Sequence, residues 1–360
     1  MAALADFIKR YRRRLSPVAF AVGFVVNSLT LTRIDRLLDN LILLGYLVLL
    51  AGSIVLQHLL AEGVNVRPWA KRYGQWYPLA TQFMFGELFS AYVIFYFQSA
   101  ATTKTFLFVG ALTVLLIANE FFEKRLGGLP IQMALFYLAS FSFLVFFLPV
   151  VTKILSPWMF PIAGLISVGL VAGVLVTLVR CCPLETRPRA TRAAVTVLAV
   201  FGAMNLLNYL NWIPPVPLSV RLGGAFHQIE RQGDRYIARY EKPPWYNVLR
   251  RSDARFHWSA GEPVYCFASV FAPSGVKTSI VYHWQRYSQS SDEWESADRI
   301  AYEINGGRDD GYRGYTVKRN IAPGRWRIDI ETPDGRVMKR VAVEVVSLGE
   351  TGYELVERSL

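Results

Sequence analysis

The sequence predicts two fold classes in one chain: an all-α membrane bundle of seven transmembrane helices, followed by an all-β immunoglobulin-like sandwich. Three observations carry this. Seven long apolar runs fill the chain up to Leu210, whereas beyond Pro217 apolar and polar residues alternate at the period of a half-buried strand. The charge divides just as unevenly: 18 Lys and Arg against 8 Asp and Glu up to residue 211, a net +10, and 21 against 19 after it, a net +2. A basic excess confined to the apolar part argues against nucleic-acid binding, which needs a basic patch on a folded domain, and fits positively charged cytoplasmic loops.

The border is Asn211-Trp212-Ile213-Pro214-Pro215-Val216-Pro217. Three prolines fix φ and remove three N–H donors, so they end the incoming helix and leave a stiff, extended exit. Trp212 suits a bilayer interface, where an amphipathic ring is half wet. The boundaries read as a transmembrane domain over 1–211, a linker with a β-hairpin over 212–261 and a β-sandwich over 262–360.

The basic segment Lys9 to Arg14 precedes Leu15 to Thr32, a run long enough to cross a hydrocarbon core. No small-residue cleavage site follows, so it reads as an uncleaved signal anchor. Six more runs follow: Leu37 to Leu60, Pro78 to Gln98, Thr105 to Phe122, Pro130 to Val150, Pro157 to Val179 and Ala193 to Leu210. With seven crossings and a cytoplasmic N-terminus, fourteen basic residues fall inside and four outside. If the first run does not cross, the count becomes nine to nine and the asymmetry vanishes. The charge therefore predicts a C-terminal domain outside the cytoplasm.

Glu87 lies nine residues into the third run, about 14 Å deep by helix rise. An ionisable group there needs a partner or a purpose. It is either a hydrogen-bonded glutamate that fixes helix packing or the working group of a transporter or membrane-embedded enzyme. Gly169 and Gly173 form a G-x-x-x-G step, with Ala163 and Ser167 nearby, which predicts close helix approach in the sixth run.

In the C-terminal part, Gly324 to Glu331 places Trp326, Ile328 and Ile330 on one face. Thr332-Pro333-Asp334-Gly335 supplies the turn, and Val341, Val343 and Val345 return. Earlier strands are expected over Pro263 to Ala272, Lys277 to Tyr287, Arg299 to Ile304 and Gly311 to Arg319. A further hairpin joins Ala225 to Glu230 with Arg235 to Glu241. Short strands with turns between them suggest a sandwich, although the Cys…Trp…Cys spacing of an immunoglobulin domain is absent.

The candidate binding loop is Asn305 to Tyr315. Its Arg308, Asp309, Tyr312, Arg313 and Tyr315 combine bidentate donors for carboxylate or phosphate with rigid aromatic faces. His227, His257 and His283 have no metal-ligand spacing to one another, and a zinc site would require them to converge in space. Asp292, Glu293, Glu295 and Asp298 lack the order of a calcium loop, and Ser290 and Ser291 lack a nucleophile elbow. Cys181 and Cys182 lack the spacing of a metal site, and Cys266 alternates with apolar residues as core. No catalytic residue, metal ligand or cofactor is expected.

Val281-Tyr282-His283-Trp284, Arg313-Gly314-Tyr315-Thr316-Val317-Lys318, Gly324-Arg325-Trp326-Arg327-Ile328-Asp329 and Asp334-Gly335 carry a resemblance. They resemble a bacterial family of polytopic inner-membrane proteins ending in a small domain of unknown function, marked by a His-Trp strand, a Gly-x-Trp-x-Val/Ile strand and an Asp-Gly turn. The resemblance implies the architecture and names no catalytic residue. The expected protein is a non-enzymatic inner-membrane protein. Its periplasmic sandwich would bind an envelope partner (protein, glycan or lipid) close to the bilayer, without nucleic acid.

Overall fold

The computed structural model describes residues 35–121, 128–245, 251–308, 310–347 and 353–360, together with Phe24, Val25 and Asn27. The chain divides into two compact units with the border between Ile213 and Pro214.

The first unit is helical. Among the described residues its helices are α1 (Leu37–Ala61), the short α2 (Pro68–Arg72), α3 (Tyr77–Ser99), α4 (Thr103–Phe121), α5 (Leu129–Thr152), α6 (Met159–Cys181) and α7 (Arg187–Tyr209). Pro68, Pro130 and Pro188 sit in the first turns of α2, α5 and α7, where a missing N–H leaves no bond unmade. The left-handed Lys153 (φ 60°) closes α5, its N–H donating to the Pro149 carbonyl.

Seven spans is more than these helices support. Among the described residues, four segments are long and apolar enough to cross a membrane: Leu37–Ala61, Leu129–Thr152, Met159–Cys181 and Leu184–Tyr209. Helix α3 carries Thr81, Gln82, Glu87, Ser90 and Gln98, which dilute its apolar character, and within the described residues the apolar stretch of α4 is Thr103–Ala118. Apart from Phe24, Val25 and Asn27, the run Leu15 to Thr32 lies outside the described residues.

Helix α5 is the most enclosed of the four, with 61% of its apolar window buried against 17–33% for the others. Its Phe146 packs against Tyr96 (4.9 Å between centroids) and Phe95 (5.5 Å) of α3, and Phe141 meets Phe160 of α6 edge-on at 4.8 Å. Polar side chains pair across helices: Ser53 with Thr81 at 2.8 Å and His58 with Gln132 at 2.9 Å.

The close helix approach falls at Gly164, not at the Gly169/Gly173 step. A Cβ at Gly164 would lie 2.6 Å from the Phe201 ring of α7, whereas Gly169 and Gly173 have nothing within 4 Å. We therefore expect Gly164→Ala to destabilise the bundle. Gly169→Ala and Gly173→Ala should be neutral or gain up to about 1 kcal/mol of helix propensity. Thermal melts in detergent read the difference in sign.

The second unit is β-rich. Its strands are β1 (Ser219–Phe226), β2 (Gln228–Gln232), β3 (Arg235–Glu241), β4 (Arg255–Trp258), β5 (Val264–Phe271), β6 (Lys277–Ser288), β7 (Glu293–Asn305), β8 (Tyr312–Lys318), β9 (Gly324–Glu331), β10 (Val337–Ser347) and β11 (Leu355–Ser359). Among the described residues they form three sheets, ordered β1-β5-β8, β4-β10-β9-β6-β7 and β11-β3-β2. Pairing is antiparallel except for the parallel β4 and β10. The β2–β3 hairpin turns at Gly233 (φ 62°), a left-handed position that suits glycine. The segment read as a linker supplies β1, which pairs with β5 along its whole length.

The alternating residues meet as the pattern requires. Tyr282 and Trp284 of β6 are fully buried and reach β8, where the Tyr282 hydroxyl donates to the Gly314 carbonyl at 2.9 Å. The Trp284 indole N–H donates to Thr316 Oγ1 at 3.2 Å. Phe226, Ile229, Ala238 and Phe267 form a second cluster that joins the β11-β3-β2 sheet to β1 and β5.

Candidate functional site

On β6 and β9, Tyr282, Trp284, Trp326, Ile328 and Ile330 occupy the core face, so the intervening residues share the opposite face of the five-stranded sheet. There the register aligns Arg340, Asp329, His283 and Arg299 across four strands. Arg340 grips Asp329 with two bonds of 2.7 Å, while His283 (3.0 Å) and Arg299 (3.1 Å) converge on Glu331. Asp329 and Glu331 are buried beneath these partners. Burial pushes the Glu331 carboxyl up, against the pull of His283 and Arg299.

One end of this ladder is an aromatic and cationic platform. The Arg327 guanidinium lies 4.4 Å from the Trp294 ring centroid, and Arg325 lies 5.8 Å from Trp294 and 4.6 Å from Tyr287. The two rings meet edge-on at 5.3 Å, and Arg327 Nε–H donates to the Gln285 amide oxygen. Stacking and hydrogen bonding together fix the guanidinium planes, which suits bidentate recognition of carboxylate or phosphate.

The Asn305 to Tyr315 loop is mostly committed to the fold. Arg313 donates to the Asp310 carboxylate (3.0 Å), the Asp234 carbonyl (3.1 Å) and the Leu360 carbonyl (3.4 Å), so it clamps β8 to the hairpin turn and the C-terminal strand. Arg308 stacks over Tyr312 at 5.5 Å, and Tyr315 packs with Tyr236 and Tyr265 at 6.1 and 5.9 Å. Arg308 and Tyr315 remain exposed, and Asp309 lies outside the described residues. The Gly306 and Gly307 N–H groups donate to the Val276 and Ala272 carbonyls. A Cβ at Gly306 would lie 1.9 Å from the Pro273 carbonyl oxygen. Because that obstacle is backbone, Gly306→Ala is expected to cost about 2 kcal/mol or more, read as a lowered denaturation midpoint of the β-rich unit.

In the helical unit, Glu87 Oε2 accepts a 2.9 Å hydrogen bond from the Asn27 amide, which also lies 3.4 Å from Ser90 Oγ. A neutral amide thus donates to one oxygen of the carboxyl group and ties the chain at Asn27 to α3.

Two of the three histidines converge after all, around Glu241. His227, between β1 and β2, lies with Nδ1 at 2.7 Å from Glu262 Oε1 and Nε2 at 3.2 Å from Glu241 Oε1 and 4.0 Å from Asp253 Oδ2. Glu241 also accepts the His257 backbone N–H (2.6 Å) and faces His257 Nδ1 at 2.9 Å. Its own N–H donates to Asp253 Oδ1 at 2.8 Å. Phe256 and Tyr353 stack on the His227 ring at 3.8 and 4.9 Å. Burial opposes charging this ring, but the hydrogen bonds to Glu241 and Glu262 and the charges of Asp253 and Glu262 outweigh it and push His227 up. Burial likewise opposes ionising Glu241, yet its bonds to both histidines bring it down.

Spacing along the chain did not reveal this cluster, because its members come from separate strands and turns. The β2–β3 register did contain half of it. Gln228 opposite Arg239 leaves His227 and Glu241 at the open end of one hairpin.

Residues 277–345, spanning β6 to β10 almost entirely, match the model of a family described as a protein of unknown function (DUF2914). That segment contains the ion-pair ladder and the arginine–tryptophan platform. No curated protein matches the chain. Among solved structures, a similarity covers 88% of this chain and 99% of Pseudomonas fluorescens alkylpurine DNA glycosylase AlkC bound to DNA containing an abasic site analog. With 10% identity and a TM-score of 0.20, it carries no argument about fold or function. The comparisons support a C-terminal domain of unknown function and identify no membrane family for the helices that precede it.

Proposed function

We propose that this chain is a non-enzymatic inner-membrane protein whose helices anchor a β-rich unit in the periplasm, close to the bilayer. That unit binds an acidic component of the envelope. One observation carries the binding reading: Arg325 and Arg327 are held over Trp294 and Tyr287, on the sheet face opposite the core and inside the segment that matches a family. The ladder beside them on the same face ties four strands together, so little ordering opposes binding. Tyr282 and Trp284, which join the five-stranded sheet to β8 of the β1-β5-β8 sheet, support the immunoglobulin-like sandwich reading. Four apolar helices support membrane anchoring. The charge asymmetry supports the periplasmic side, and it requires the first run, α3 and α4 to cross as well. The prolines after Ile213 limit the reach of the unit, which favours a membrane-proximal partner.

A photoreactive residue placed at Tyr287 of the full-length protein tests the binding surface in intact cells. Capture of one defined acidic glycan, lipid or protein is expected, with loss of at least tenfold in Arg325→Glu/Arg327→Glu and retention in Arg308→Ala/Tyr312→Ala. Equal capture with and without the charge reversals would retire the platform.

A further inference from the structure

We propose that His227, Glu241 and Asp253 bind a divalent transition-metal ion, with Glu262 orienting the histidine. The three offer ligand atoms within 4.8 Å of one another. Donors about 2.1 Å from a tetrahedral metal lie about 3.4 Å apart. The observed 3.2 Å from His227 Nε2 to Glu241 Oε1 and 4.0 Å to Asp253 Oδ2 bracket that separation.

The surrounding bonds point the same way. With Nδ1–H donated to Glu262 at 2.7 Å, neutral His227 turns its Nε2 lone pair toward Glu241 Oε1 and Asp253 Oδ2, where a metal ion takes the place of the Nε2 proton. Three acceptors that face each other need a cation or a proton between them. A carboxylate on the far nitrogen of a ligating histidine is also the usual outer-shell arrangement of metal sites. The Glu241 N–H to Asp253 Oδ1 bond aims Oδ2 inward, and the His257 N–H fixes Glu241.

Three carboxylates gather around His227, with His257 facing one of them, and a divalent ion at Nε2 offsets more of that charge than a single proton there does. One imidazole with carboxylates selects zinc, manganese or ferrous iron over magnesium and calcium. The His227 and Asp253 side chains are 2% and 0% exposed, so the site lies inside the fold, with three protein ligands and one coordination position left over. It joins the β1–β2 junction, the end of β3, the approach to β4 and the turn before β5.

Zinc is the probe. Full-length protein in detergent is stripped with chelator, reloaded with zinc and desalted, and both metal content and melting temperature are measured. About one zinc per chain is expected, with a rise in melting temperature on the order of 5 °C at saturating zinc. Asp253→Asn and His227→Gln should each abolish both effects, and Glu262→Gln should weaken zinc affinity about tenfold. His283→Ala, on the other sheet face, should change neither. If Asp253→Asn fails to fold, the wild-type shift and its loss in His227→Gln decide. Absence of retained zinc and of any shift in the wild type would overturn the proposal in favour of a protonated His227. Zinc retained undiminished in His227→Gln would place the ion elsewhere and overturn it equally.

Discussion

Trp284→Ala is expected to lower the stability of the β-rich unit by about 3–5 kcal/mol, enough to unfold much of it at physiological temperature. The side chain is fully buried, the largest so among the described residues, and it spans from β6 to β8. Its loss removes apolar contacts, leaves a cavity between the two sheets and strands the Thr316 hydroxyl that accepts its N–H. Trp284→Phe keeps most of the volume and should cost roughly half as much. Chemical denaturation followed by tryptophan fluorescence compares the two, and equal midpoints for wild type and Trp284→Ala would show that the sheets do not share this core.

The second large effect is expected at Arg340→Ala. Asp329 is only 3% exposed and depends on two 2.7 Å bonds from the Arg340 guanidinium. Removing the cation leaves a buried carboxylate with a diminished partner set, a change that costs about 3–5 kcal/mol at fully buried pairs. Arg340 is itself 40% exposed, so water screens part of the loss and about 2 kcal/mol is expected here. The double variant Arg340→Met/Asp329→Leu should recover most of it, because an apolar pair leaves no charge to desolvate. Double-variant stability no better than that of Arg340→Ala would assign the loss to packing of the arginine stem.

Periodicity explains which parts of this architecture were legible in the sequence. Six of the seven apolar runs correspond to helices α1 and α3 to α7, and the alternating residues of β9 and β10 point inward as written. What periodicity could not weigh was polarity within a span. Glu87, Thr81 and Gln82 keep α3 outside the set of helices apolar enough to cross a membrane by composition alone. Small-residue spacing was equally blind to partners. It pointed to Gly169 and Gly173, which face open space, and missed Gly164, where Phe201 closes in.

The site was less legible, for topological reasons. The Asn305 to Tyr315 loop looked like a recognition surface because arginine and tyrosine are common at binding sites. Arg313 is instead occupied by Asp310, Asp234 and Leu360, the last two distant in sequence. The platform of Tyr287, Trp294, Arg325 and Arg327 depends on the order β9-β6-β7, which puts residues of three strands side by side. The His227 cluster depends on an isolated bridge between Ala225 and Asp253. No local pattern encodes that bridge.

A periplasmic binding role requires the β-rich unit to lie outside the cytoplasm. A single cysteine at Ser290, in the exposed turn between β6 and β7, reports this directly when Cys181 and Cys182 are replaced by serine; Cys266 is buried. Treated with a small, charged, membrane-impermeant maleimide, intact cells should label Ser290→Cys as fully as lysed cells do. Labelling only after lysis would put the unit in the cytoplasm and contradict the account.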